Sequence, residues 1–333
     1  MAKKTAIAVL GDGGWGTTLA ILLARKGFSV SLWSAFPEYA RVLDKKRFNA
    51  KFLPGFAIPG QIDITADLDR AVAGKTIIVI AIPSQYIRGI LRRLKKAGHP
   101  KQALFVSVTK GIEIGSLKRI SEIIHEELGS LHLGVLSGPT IAAEVAAGIP
   151  TTAVIASHNK RVREHLQDIF MTDRFRIYTS DDVIGAEIGG SLKNVIAIAC
   201  GIADGLGFGS NTKAALLSRG LAEISRLGHT LGAVAKTFSG ISGLGDLVTT
   251  CFSAHSRNRF VGEQIGKGES PRTVLSHMDM VAEGVPTAKS AYALSIKHKV
   301  DMPITREVYL VLYKNKSPHA AVVDLMTRQK KAE

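Results

Sequence analysis

The chain has 333 residues, 46% of them hydrophobic and only 6% aromatic, with 33 glycines and a formal net charge of +15. It is longer than one ordinary hydrophobic core supports and too apolar for disorder, so it reads as a two-domain globular α/β protein. The charge favours anionic partners but does not separate nucleic acid, acidic membrane surfaces and phosphorylated small molecules.

The basic opening MAKK is followed by an apolar run that stops at Asp12, too early for a signal-peptide core. That run, TAIAVL (5–10), begins a series of apolar, β-branched segments: FSVSLW (28–33), TIIVIAI (76–82), LFVSV (104–108), LGVLS (133–137) and TAVIA (152–156). Their residues are apolar in succession rather than in alternation, which predicts parallel strands buried on both faces. Helical segments at about 15–27, 84–97, 116–129 and 159–170 are placed to cover those faces. The predicted class is α/β, an N-terminal doubly wound Rossmann-type parallel sheet with a second, all-helical C-terminal domain. The densest basic run, Arg92 to Lys96, follows apolar residues at helical spacing (Ile87, Ile90, Leu91, Leu94) and reads as a solvated helix face, as does Arg328 to Lys331. No aromatic residues interleave these cations, so no nucleic-acid partner is expected.

After TSDD (Thr179 to Asp182) the pattern changes, and from Glu187 the apolar positions Ile188, Leu192, Val195, Ile196, Ala199, Ile202, Ala203 and Leu206 follow helical spacing. The expected domains are therefore 1–186 and 187–333. VIAIACGIA, before Asp204, comes nearest to a membrane span but falls short of the required ~20 apolar residues. Two cysteines, Cys200 and Cys251, cannot build a disulfide framework, and neither sits in a metal-ligand cluster. No metal is expected, and a cytoplasmic protein is.

Function in a doubly wound sheet belongs at the carboxyl ends of the strands. Gly11-Asp12-Gly13-Gly14-Trp15-Gly16 fits G-x-G-x-x-G between the first strand and a helix. Gly11 suits the tight turn, Gly13 lets a pyrophosphate approach the backbone, Gly16 allows close packing, and the helix N-terminus offers N–H groups to the anion. The turn predicts an NAD or NADP site. The acid that commonly reads the ribose, roughly 20 residues on, is replaced by Trp33-Ser34-Ala35-Phe36, which neither repels nor grips a 2′-phosphate. Lys110, directly after the strand 104–108, is aimed at the crevice, where an ammonium can meet a phosphate or a carbonyl oxygen. Lys193 has Gly189, Gly190, Ala197 and Cys200 as helical neighbours, all small. Either a ligand approaches that face, with desolvation easing proton exchange at the amine, or another helix crosses there. GLGDL (243–247) presents Asp246 after a glycine turn, and Ser256, Arg257 and Asn258 form a set suited to phosphate oxygens or, alternatively, to a helix cap.

Eight segments in order, GDGGWGTTLA, NAKFLPG, TKGIE, SGPTIAAE, GGSLKNVIAI, GLGDL, SRN and VAEG, resemble the soluble bacterial NAD(P)-dependent glycerol-3-phosphate dehydrogenases over nearly the whole chain. The resemblance implies hydride transfer between NAD(P)H and C2 of dihydroxyacetone phosphate, giving sn-glycerol 3-phosphate for glycerophospholipid synthesis, by a homodimer. It implies Lys193 as the catalytic proton acceptor or donor, assisted by Asn194. Lys110, Gly138, Thr140, Asp246, Ser256, Arg257 and Asn258 are implied as substrate contacts. Gly14, Trp15, Lys110, Ala142, Arg257, Val281 and Glu283, with Gly11, Gly13 and Gly16, are implied around the cofactor. Asp246 can orient Lys193 or hold a substrate hydroxyl. Two features depart from the family pattern: Ala35, where a basic residue is frequent, and the Asp12/Gly14 pair, where small or hydroxylated residues are frequent. The alternative is a 3-hydroxyacid-type dehydrogenase of the same architecture, but such enzymes pair the lysine with an Asn four residues later, and position 197 is Ala.

Overall fold

The computed structural model describes residues 5–100 and 102–330. The basic opening Met1 to Lys4 and Lys331 of the basic tail lie outside the described residues. The chain divides into two compact units, Met1–Lys110 with Arg119–Ala186, and Gly111–Lys118 with Glu187–Glu333. The short segment counts with the second unit, where the Ile112 carbonyl accepts from Ser290 Oγ at 3.0 Å.

The first unit runs β1 (Ala6–Leu10), α1 (Gly14–Arg25), β2 (Ser29–Trp33), α2 (Pro37–Lys46), β3 (Phe48–Asn49), β4 (Leu53–Ala57), β5 (Asp63–Thr65), α3 (Leu68–Val72), β6 (Ile77–Ile80), α4 (Ile87–Ala97) and β7 (Leu104–Ser107). It continues through α5 (Ile120–Leu128), β8 (Leu133–Ser137), α6 (Ala142–Ala146), β9 (Thr151–Ala156), α7 (Lys160–Phe170) and β10 (Phe175–Ser180). Eight strands form one sheet in the order β10-β9-β8-β7-β6-β1-β2-β5, and β3 pairs with β4 in a separate antiparallel ribbon. Alternate residues of one strand feed opposite cores. Ile7 and Val9 of β1 pack with Leu19 and Leu23 of α1 and Leu166 and Phe170 of α7, while Ala8 and Leu10 pack with Leu91 and Leu94 of α4 and Ile123 and Ile124 of α5. Each such buried aliphatic side chain contributes about 1.5–3 kcal/mol, which makes the two-sided burial the main force holding helices on both faces. On α4, Ile87, Leu91 and Leu94 are buried while Arg92, Arg93, Lys95 and Lys96 face solvent, the division that their spacing predicts.

Two strands, β9 and β10, correct the all-parallel expectation. β9 pairs antiparallel with β8, in the register Val135↔Ala156, Leu136↔Ile155 and Ser137↔Val154, and β10 then runs parallel to β9. The cause is the connection. At a rise of about 1.5 Å per residue, the five-residue α6 is too short to carry the chain back along the sheet, so β9 enters from the edge at which β8 left. β1 lies between β6 and β2, and the chain's winding reverses there. This switch point brings the glycine turn, Ser34, Pro83, Lys110 and Gly138 to one edge, the carboxyl ends of β1, β2, β6, β7 and β8.

The second unit is helical: α8 (Val183–Gly205), α9 (Ser210–Thr230), α10 (Ala235–Phe238), a π-helical segment Ile241–Gly245, α11 (Asp246–Phe252), α12 (Arg257–Gly266), α13 (Pro271–Ser276), α14 (Gly284–His298), α15 (Pro303–Tyr313) and α16 (Pro318–Met326). α8 is long and apolar enough to cross a membrane by length and composition, yet 94% of that stretch is buried inside the fold. It is a core helix. α8 and α12 cross in backbone contact: a Cβ on Gly201 would lie 2.0 Å from the Arg259 carbonyl oxygen, and one on Gly262 would lie 2.0 Å from that of Ile198. Gly205 and Gly266 repeat the arrangement one turn on.

Candidate active site

In the sheet unit the glycine turn divides its labour. Gly11 has φ +116°, and a Cβ there would lie 2.4 Å from the Ala81 carbonyl oxygen; at Gly16 a Cβ would lie 1.9 Å from the Gly11 carbonyl oxygen. Both positions are closed to side chains by backbone, one at the turn and one where α1 meets β1. Around Gly13 nothing lies within 4 Å of where a Cβ would stand. It is also the N-cap of α1, with no side chain capping the helix. Open space over uncapped N–H groups is what a pyrophosphate needs, so these residues fit a dinucleotide. Gly14 has a different constraint, since a Cβ there would lie 2.5 Å from the Phe52 carbonyl oxygen and 3.7 Å from Ala142 Cβ.

The turn is fixed from below by Asn49, whose Nδ2 donates to the Asp12 carbonyl at 2.7 Å and to Thr17 Oγ1 at 2.8 Å. Tyr39 Oη and the Phe52 amide donate to Asn49 Oδ1. Asn49 belongs to the NAKFLPG motif, and only its tertiary partners reveal what it does. Trp15 packs edge-on to Phe175 with ring centroids 6.3 Å apart, and Thr18 Oγ1 donates to the Ala142 carbonyl, tying α6 to α1. Thr109, buried, donates to the Ile82 carbonyl at 2.7 Å and thereby sets Lys110, whose Nζ donates to the Gly138 carbonyl at 2.8 Å. Thr140 Oγ1 donates to the same carbonyl at 3.1 Å. Lys110, Gly138 and Thr140 thus form one cluster, and Gly14 and Ala142 another, all within this unit.

In the helical unit Lys193 is buried and its Nζ donates to Asp246 Oδ1 and, at 2.7 Å, to Thr250 Oγ1. Thr250 sits one turn after Asp246 on α11 and donates to the Asp246 carbonyl, so both partners of the ammonium ride on one helix face. Among the small neighbours of Lys193, Gly189 serves a close crossing. A Cβ on Gly189 would lie 2.8 Å from the Ser242 carbonyl oxygen, so it is the π-helical segment that approaches α8. That approach delivers Asp246, the residue immediately after the segment, to Lys193. π-helical turns recur at functional sites for this kind of reason.

Asn194, the residue after Lys193, accepts from Asn258 Nδ2 at 2.9 Å, and Asn258 Oδ1 accepts from the Gly284 amide at 2.8 Å. The two buried amides join α8, α12 and the start of α14. Ser256 is the N-cap of α12, accepting from the Arg259 amide at 3.2 Å, which keeps its hydroxyl proton available as a donor. Arg257, exposed at the start of α12, gives one N–H to the Val281 carbonyl at 2.9 Å, with Glu283 close enough to act on its charge. Of the helical-unit residues singled out in the sequence, Lys193 pairs with Asp246 and Asn194 with Asn258, while Arg257 bonds the Val281 carbonyl near Glu283 and Ser256 caps α12. Thr250 is the addition. Its only signal in the sequence is the spacing of four from Asp246. A cavity of about 720 Å³ between α8, α9, α15 and α16, lined by residues such as Leu216, Val308 and Leu325, includes none of these residues.

Comparison with known proteins places the chain. Residues 6–163 match the family model for the N-terminus of NAD-dependent glycerol-3-phosphate dehydrogenase, and residues 182–323 match the model for its C-terminus. The chain belongs to the NAD-dependent glycerol-3-phosphate dehydrogenase family. It is 52% identical to a glycerol-3-phosphate dehydrogenase [NAD(P)+] of Prosthecochloris aestuarii, covering 98% of this chain and 99% of that one. A counterpart from Moorella thermoacetica is 49% identical, with 99% and 98% covered. Among solved structures, glycerol-3-phosphate dehydrogenase from Coxiella burnetii superposes with a TM-score of 0.94 at 38% identity, covering 98% of this chain and 99% of the other. Membership of this family sets aside the 3-hydroxyacid alternative and gives the cofactor as NAD or NADP.

Proposed function

We infer that the chain interconverts dihydroxyacetone phosphate and sn-glycerol 3-phosphate, with NAD(P)H as the reductant, at the head of glycerophospholipid synthesis. The observation that carries this reading is the buried Lys193 ammonium held by Asp246 and Thr250 within a chain of this family. When bound, the nicotinamide supplies the hydride to C2. Everything else falls to side chains. Reduction leaves a growing negative charge on the C2 oxygen, so an ammonium beside that oxygen stabilises the transition state more than the ground state and then gives up a proton. Lys193 is the group proposed for this, and in the reverse direction its amine accepts the proton from the C2 hydroxyl. Asp246 and Thr250 hold Nζ in one place, so Asp246 is proposed to orient the lysine.

Ser256, Arg257 and Asn258, with Lys110, are proposed as phosphate contacts, and Gly138 and Thr140 as further substrate contacts. Arg257 spends one of its five N–H donors on Val281 and presents a planar fork suited to phosphate. Asn194 is proposed to position Asn258 rather than to touch the reacting carbon, since its Oδ1 already accepts from that side chain. The glycine turn, with Trp15, Lys110, Ala142, Arg257, Val281 and Glu283, is proposed to border the cofactor. The corresponding division of labour is residues 1–186 for the dinucleotide and 187–333 for substrate and proton transfer. A cytoplasmic homodimer is proposed as the working form, to be checked by light scattering on the purified chain. The activity itself is tested by loss of reduced-nicotinamide absorbance with dihydroxyacetone phosphate against a panel of 3-keto acids. Turnover of the keto acids but not of dihydroxyacetone phosphate would overturn it.

A further inference from the structure

The glycine turn carries an acid where a small residue would serve. Asp12 is only 7% exposed, and its Oδ2 has no hydrogen-bond partner among the described residues. The Gly11 amide donates to the Trp33 carbonyl at 3.0 Å, which sets Asp12 at the end of β2, beside Ser34. The backbone around it is rigid, because the Asp12 carbonyl accepts from both Asn49 Nδ2 and Thr17 Oγ1. Burial pushes the Asp12 carboxyl above the usual carboxylate range, the expected effect of removing it from water without a cation beside it. Such a group costs stability, which calls for a reason to keep it.

Its place suggests the reason. In dinucleotide-binding sheets of this kind the end of β2 is where the adenosine ribose is read, by an acid that accepts from the ribose hydroxyls. This chain has Trp33-Ser34-Ala35-Phe36 there and no acid of its own on the strand. We propose that Asp12 supplies the missing cofactor-selecting acid from the glycine turn and makes the site favour NADH, with its free 2′-hydroxyl, over NADPH. A hydroxyl can donate to a carboxyl oxygen that lacks a donor. A 2′-phosphate brings only acceptors and negative charge to the same place, and Ala35 offers no cation in compensation.

The inference rests on the reading that the turn holds a dinucleotide, and the two can fail separately. The experiment titrates ADP-ribose and 2′-phospho-ADP-ribose into the full chain by calorimetry at one ionic strength, so that no turnover is involved. The wild type is expected to bind ADP-ribose at least tenfold more tightly. Asp12→Asn keeps the size, and Asp12→Ser keeps a small polar residue; each is expected to bring the ratio of the two dissociation constants towards one. A wild type that binds the phosphorylated probe as well as the other overturns the proposal without any variant. So does either folded variant retaining the wild-type ratio, since a merely structural Asp12 would weaken both probes alike. Failure of both probes to bind the wild type would remove the dinucleotide reading of the turn and this inference with it.

Discussion

Replacing Lys193 by Met keeps the length of the side chain and removes the ammonium, and its effects on folding and on rate can be told apart. Lys193 and Asp246 have side chains only 7% and 1% exposed. Deleting one member of such a buried pair leaves the other charge desolvated, at a cost of about 3–5 kcal/mol. For a protein of this size a loss of 1 kcal/mol lowers Tm by about 2–4 °C, so Lys193→Met is expected to melt about 6–20 °C lower. Adding Asp246→Asn removes the stranded charge and should recover most of that loss. The rate behaves otherwise. The same ammonium is proposed to give the proton, worth roughly 10²–10⁴, and to stabilise the developing alkoxide, worth roughly 10²–10³, so kcat/KM should fall at least ~10⁴-fold. The double variant restores neither contribution. Thermal melts and steady-state rates on the four members of the cycle are the assay: stability recovers in the double variant while activity stays lost. A folded Lys193→Met enzyme losing less than about tenfold in kcat/KM would refute the proton role, and a double variant no more stable than Lys193→Met would refute the buried pair.

Glu223 on α9 is 1% exposed and accepts from the Ile304 and Thr305 amides and from Thr305 Oγ1 at the first turn of α15. Burial outweighs those hydrogen bonds and pushes its carboxyl from 4.5 to about 7. An acid with a raised folded pKa contributes most below its unfolded value, so stability should fall by about 3 kcal/mol as pH rises from 4.5 to 7. The wild-type minus Glu223→Gln difference in denaturant midpoint, followed across that window, should show this slope, and a flat difference contradicts it. Gly201→Ala should destabilise by about 1–3 kcal/mol or more despite the roughly 1 kcal/mol by which Ala favours a helix, because the clash is with the backbone carbonyl of Arg259. Chemical denaturation checks the sign. Cys200 and Cys251 are buried side by side, and contact with Cys200 together with burial pushes the Cys251 thiol well up. Both should resist a disulfide-exchange reagent in the native protein even at mildly alkaline pH and react on unfolding, as a timed colorimetric titration would show.

The legible parts of this chain are those where one residue type answers one local need. Apolar, β-branched runs marked β1, β2 and β6 to β9 because strands covered on both faces need every side chain to be apolar. β10 was not visible in the same way. As an edge strand it buries Phe175 and Ile177 and leaves Arg176 and Tyr178 outside, an alternation that the search for continuous runs passes over. β5 is three residues long, too short to carry a pattern. The direction of β9 is a property of its connection, and composition contains no record of it. The same division holds at the candidate site. The glycine spacing announced itself, whereas the pairing of Asp246 with Lys193, the contacts of Asn49 and the presence of Thr250 depended on partners 32 to 57 positions away in the chain.

The glycine-on-glycine crossing of α8 and α12 limits how this enzyme could be re-engineered. Where side chains separate two helices, their spacing can be tuned by trading Val for Ile or Ala for Ser, and a pocket can be widened by degrees. Here the main chains already touch, so the interval between Lys193 and the Ser256-Arg257-Asn258 set has no smaller setting and no gradual larger one. A designer seeking a longer or bulkier phosphorylated ketone would have to leave this frame alone and carve room from side chains.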